Sequence, residues 1–272
     1  MNFFRLFFLI FSLLIAVACN MEADNSEEQP ELTVIIEEND DIDNFATQTE
    51  SIMPDDENSK IDNSTIKQEI TLDNALLKKA DNGDAEAQFK IGRIYDSKSD
   101  YPKAAEWYQK AAEQWHTNAQ NSLGVIYANG NGVEQNYKKA FEWYLIAAEL
   151  GNTNAQYNLG NMYYSGNEVE QNHQKASEWY LKAAELGNVN AQYNLGNMYY
   201  IGEGVKQNYK KAAKWYSKAA KQEYADAQYI LGNMYYNGEG VKQNNKTAHK
   251  WYSKAAKHGN KDAIKKVNEL KG

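Results

Sequence analysis

The chain repeats itself. Ala-Gln opens a unit at Ala87, Ala119, Ala155, Ala191 and Ala227, and the thread continues at Ala263, so the spacing is 32 residues once and then 36 four times. A period of this length makes each unit one supersecondary element, too small to bury its own apolar face and stable only when stacked on its neighbours.

Each unit reads as two amphipathic helices. In the third, Ala155, Leu159, Met162 and Tyr163 share one helical face, and Ala176, Tyr180, Ala183 and Ala184 share another, as a 3.6-residue period requires. The loop between them carries Gly-x-Gly-Val at residues 130–133, 202–205 and 238–241, where glycine admits the left-handed conformation that stops a helix. Asn136, Asn172, Asn208 and Asn244 precede the second helix and are suited to cap its free N–H groups. Glu168 replaces the second loop glycine in the third unit and costs about 1 kcal/mol if that position demands positive φ. Between units, Gly83, Gly151, Gly187 and Gly259 end second helices and are followed by Asp84, Asn152, Asn188 and Asn260, a stop followed by a cap. Trp115-His116 and Glu223-Tyr224 break that rule and are expected to alter the local curvature.

These residues resemble Sel1-like repeats, the 36-residue relatives of tetratricopeptide repeats. The five units span residues 87–118, 119–154, 155–190, 191–226 and 227–262, with capping helices in 71–86 and 263–272. The first unit lacks four loop residues and is closer to a plain tetratricopeptide turn. The resemblance implies an all-α fold, a right-handed α-solenoid of helix-turn-helix repeats with a long concave surface, and a non-catalytic adaptor that binds a protein partner there.

On the first helix, opposite the stripe centred on Leu159, stand Tyr157, Asn161 and Tyr164. The trio recurs as Tyr193, Asn197, Tyr200 and as Tyr229, Asn233, Tyr236. Tyrosine offers contact area at low entropic cost, and asparagine can both donate to and accept from a peptide backbone or a sugar hydroxyl. Packing and ligand contact are both open for these nine residues. The column breaks in the second unit at Asn121, Val125 and Ala128, and in the first at Phe89, Arg93 and Asp96. Trp107, Trp143, Trp179, Trp215 and Trp251 recur once per unit beside Ala-Ala pairs and fit inter-helix packing better than an aromatic binding ladder.

Before the array, charge and composition change. Residues 20–70 hold 16 acids and 2 bases, with isolated apolar residues and one short cluster, Val34-Ile35-Ile36, as the only docking motif, a composition that cannot offset ordering entropy and reads as an acidic disordered tether. Residues 191–272 hold 15 lysines and 6 acids, a net +9, read as a solvated basic face or as a surface for an acidic partner. The first 19 residues contain one charge, Arg5, and an apolar run from Leu6 to Cys19, too short to span a bilayer comfortably and typical of an export signal. The run ends Ala16-Val17-Ala18-Cys19 and resembles the bacterial lipoprotein signal. That resemblance implies a lipid on Cys19, the only cysteine of the chain, and a protein tethered to the envelope at the outer membrane or cell surface. Ordinary signal cleavage at the same bond is the alternative and would give a secreted or periplasmic protein.

Little chemistry survives inspection. One cysteine excludes a disulfide framework and any site needing two thiolates. The four histidines show no metal-ligand spacing, and no Walker loop, G-x-S-x-G elbow or H-E-x-x-H occurs. No cofactor, metal or nucleic acid is therefore expected. Cysteine-rich members of this repeat class are described as beta-lactamases, but they carry a cysteine pair in each repeat, which is absent here. Ser64-Thr65-Ile66-Lys67 matches S-x-x-K without its S-D-N or K-T-G companions. A protein-binding adaptor thus leads, an envelope glycan or peptidoglycan module follows, and a hydrolase comes third.

Overall fold

The computed structural model describes residues 74–269. The signal with Cys19, the 20–70 tether, residues 71–73 of the first cap and 270–272 of the last lie outside the described residues. The chain divides into two units, Met1–Ile61 and Asp62–Gly272, and everything below belongs to the second.

The described residues form twelve helices and no strand. A cap, α1 (Asn74–Asp81), precedes five pairs: α2 (Ala85–Ser97) with α3 (Tyr101–Ala112), α4 (Thr117–Asn129) with α5 (Tyr137–Glu149), α6 (Thr153–Ser165) with α7 (His173–Glu185), α8 (Val189–Ile201) with α9 (Tyr209–Lys221), and α10 (Ala225–Asn237) with α11 (Asn245–Lys257). The closing cap is α12 (Lys261–Glu269). Consecutive helices pack on one another along the whole series, so the fold is an all-α solenoid. First helices start two residues before the Ala-Gln mark, because the helix begins at its cap. Asp84, His116, Asn152, Asn188 and Asn260 each accept from the backbone N–H three residues on, at 2.8–3.1 Å.

Buried alanines let the helices approach, and one tyrosine per second helix fills the centre of each pair. Tyr108, Tyr144, Tyr180, Tyr216 and Tyr252 are all buried. The indole of each later unit packs on the core of the unit before: Trp143 on the first core, Trp179 on the second, Trp215 on the third and Trp251 on the fourth. This is the inter-helix packing expected of the regular tryptophans. The Ala-Gln pair is itself a joint, since buried Gln88, Gln120, Gln156, Gln192 and Gln228 donate through Nε2 to the carbonyl eight residues back, at the end of the preceding second helix (3.0–3.2 Å).

The loops behave as their glycines require. Gly130, Gly166, Gly202 and Gly238 end first helices in the left-handed conformation, and Asn136, Asn172, Asn208 and Asn244 cap second helices. The second loop position is also left-handed, including Glu168 at φ 57°. At Gly204 a Cβ would collide with the backbone of His173 in the preceding unit, so glycine there serves close approach as well as backbone conformation. Trp115 and Glu223 occupy the inter-unit stop with φ 68° and 64°. The left-handed stop is therefore kept at both joints, and the broken rule costs local strain. Glu168→Gly should raise the melting temperature by roughly 1–3 °C, because relief of left-handed strain exceeds the glycine entropy cost. Gly204→Ala should lower it, and thermal melts followed by circular dichroism read both.

Candidate functional site

The face built by the first helices carries the Tyr-Asn column, and its chemistry is set from behind by the second-helix tyrosines. The Tyr180 hydroxyl donates to Asn161 Oδ1 at 2.7 Å, Tyr216 to Asn197 at 2.6 Å and Tyr252 to Asn233 at 2.8 Å. Each asparagine oxygen is thus engaged from within, while its Nδ2 donor has no partner among the described residues. Burial pushes the Tyr180 and Tyr216 phenols up, which keeps them protonated as donors.

Half-buried Tyr157 lies with its ring 5.9 Å from that of Tyr180. Tyr193 lies 6.0 Å from Tyr216 and 5.0 Å from Tyr224, and Tyr229 lies 5.9 Å from Tyr252. One ring face of each is therefore spent on packing, yet no bond is formed by their hydroxyls among the described residues. Tyr164 and Tyr200 reach across units: their hydroxyls donate to Glu203 at 2.9 Å and to Glu239 at 2.8 Å, acids in the next unit's loop. Tyr236 makes no such bond among the described residues and is exposed. The column so offers amide and phenol donors over three units, with two of its three upper tyrosines, Tyr164 and Tyr200, tied to carboxylates.

The column ends where its acceptors change. In the second unit Val125 replaces the asparagine, leaving Tyr144 without that acceptor, and Asn121 accepts from Asn158 at 3.0 Å. In the first, the Tyr108 hydroxyl turns to Asp96 at 3.1 Å and Phe89 stacks on His116, 4.5 Å between centroids. Sequence reasoning missed the second role of Asn161, Asn197 and Asn233. The available signal was the pairing of asparagine with a tyrosine 19 residues later in three units.

Glu239, as hydrogen-bond acceptor, and then burial raise the Tyr200 phenol to about 12. Since the protonated form is favoured in the folded state, this contribution to stability is complete below the ordinary value near 10 and is lost as pH rises through about 12. Ultraviolet titration of phenolate should show one tyrosine returning toward the ordinary range in Glu239→Gln. An unchanged titration would break the assignment.

Helix pairs stacked in series, with polar donors facing outward at one-unit intervals, define a helical-repeat scaffold. Five stretches match the Sel1 repeat, residues 85–114, 117–152, 153–188, 189–224 and 225–260. They cover more than half of the sequence, and the chain belongs to the Sel1 repeat family, whose members are generally protein-interaction scaffolds and mostly non-catalytic. It is similar to c5321, a protective antigen of uropathogenic Escherichia coli with an SLR fold, at 35% identity over 72% of this chain and 43% of that one, TM-score 0.70. This chain thus spans less than half of that antigen's length. A Sel1 repeat protein from Oxalobacter formigenes is 32% identical over 69% of this chain and 78% of that one, TM-score 0.64. Among curated proteins, none matches the sequence.

Proposed function

We propose that this chain is a non-catalytic adaptor of the bacterial cell envelope, tethered at the outer membrane or cell surface by lipid on Cys19, and that its protein partner lies along the Tyr-Asn column. The observation that carries this reading is the row of unspent Nδ2 donors on Asn161, Asn197 and Asn233, whose oxygens the buried tyrosines already hold. Donors fixed in position bind backbone carbonyls of an extended segment without first losing side-chain freedom. Tyr157, Tyr193 and Tyr229 supply apolar area between them.

Affinity capture from envelope extracts of the source cells with the full chain should enrich a protein, and soluble envelope oligosaccharides should not displace it. Displacement, or binding of the oligosaccharides alone, would overturn the protein-partner reading in favour of a glycan. Cys19→Ser should move the chain from the membrane pellet to the soluble fraction. Retention in the pellet would overturn the anchor.

A further inference from the structure

Alternating helices give the array two edges, one holding the loops within units and one holding the turns between them. Of the eight large hydrophobic residues that are exposed among the described residues, seven lie on these edges. On the turn edge, Leu150 and Leu186 end α5 and α7 at 43% and 60% exposure, one unit apart, and Trp115 lies beside the matching position of the first unit.

The two leucines break a rule that the other units keep. There the same position holds a residue that bonds the buried glutamine of its own unit: Gln114 Nε2 donates to Gln88 Oε1 (2.7 Å), Gln222 Nε2 to Gln192 Oε1 (2.9 Å), and His258 Nδ1 meets Gln228 Oε1 (3.1 Å). Leucine cannot do this, and Gln120 Oε1 and Gln156 Oε1 are buried without a partner. Each leucine costs stability by orphaning a buried acceptor and also leaves apolar surface exposed. Local rules broken at the expense of stability mark a surface with another task.

Charge says what covers it. Glu113, Glu149 and Glu185 adjoin the strip, whereas the same position in the last two units is Lys221 and Lys257. The complement is apolar, basic and spaced by one unit. The chain's own loop edge in the last units fits this description. Ile201, Tyr209 and Tyr236 are exposed there, with Lys206, Lys210, Lys242 and Lys246, none of them ion-paired among the described residues. The acids of that edge, Glu203 and Glu239, are held by Tyr164 and Tyr200. Both strips inherit the pitch of the same repeat, so a second copy matches the spacing.

We propose that copies of this chain associate side by side, the turn edge of units one to three of one copy docking on the loop edge of units four and five of the next. Two different edges make the contact heterologous, so each copy keeps a free edge for the next and the association is not limited to a two-fold dimer. Of the Tyr-Asn column the contact touches only Tyr236, and the leucines and lysines that test it lie outside both the column and the lipid anchor.

Sedimentation velocity of the full chain should show an average mass that rises with concentration and falls with added salt. Leu150→Gln with Leu186→Gln should abolish association while raising the melting temperature by a few degrees, since glutamine restores the missing donors. Lys206→Glu with Lys242→Glu should also abolish it, and mixing the two double variants should restore dimers and nothing larger. A native chain that stays monomeric at all concentrations, a leucine variant that still associates or melts lower, or a mixture without dimers would each overturn the proposal.

Discussion

Tyr216→Ala destabilises the array by about 3–5 kcal/mol, the loss expected for a large aromatic removed from a packed centre. Tyr216 is 1% exposed, its hydroxyl is on Asn197 and its ring lies against Tyr193. The ring also lies over Gly196, where an added Cβ would come to 2.8 Å from it. Tyr216→Phe keeps the ring and loses only the hydroxyl bond, costing about 1 kcal/mol. Gly196→Ala costs about 1–3 kcal/mol in overpacking, offset by about 1 kcal/mol of helix propensity. In the Tyr216→Ala background the clash is gone, so the same alanine becomes stabilising. Urea denaturation of the four proteins of this cycle measures the reversal. An equal effect of Gly196→Ala in both backgrounds would show that the glycine is not there to admit the ring.

Much of this architecture was legible in the sequence because a repeat displays its rules several times over. The Ala-Gln period marked the units, the loop glycines marked the left-handed stops, and the four asparagines marked caps that the fold uses in every case. Glu168 stood out as a residue in a glycine's place and does take positive φ. What stayed hidden were bonds between helices that sequence spacing does not relate directly. Gln156 reads as a polar residue on a helix, yet it is buried and ties α6 to the end of α5. Asn161 reads as free to bind through both ends of its amide, yet Tyr180 holds one of them. The altered joints at Trp115 and Glu223 keep the backbone that glycine would give, because helix ends fixed by packing on both sides leave the turn little choice.

The engaged oxygens decide how the column must be tested. Alanine at Asn161, Asn197 and Asn233 would remove the outward donors and also strip three buried phenols of their acceptor, confounding binding with stability. Aspartate keeps an acceptor for Tyr180, Tyr216 and Tyr252 while it replaces each Nδ2 donor by a second oxygen and adds a negative charge. Three lost hydrogen bonds at about 1 kcal/mol each weaken a complex about a hundredfold.

The most direct measurement is therefore the affinity of the captured protein for the native chain and for Asn161→Asp, Asn197→Asp and Asn233→Asp combined, with melting temperature followed in parallel. A dissociation constant raised about a hundredfold at unchanged melting temperature is the expected result. Equal affinity for both forms would contradict the claim that the Tyr-Asn column is where this scaffold meets its partner.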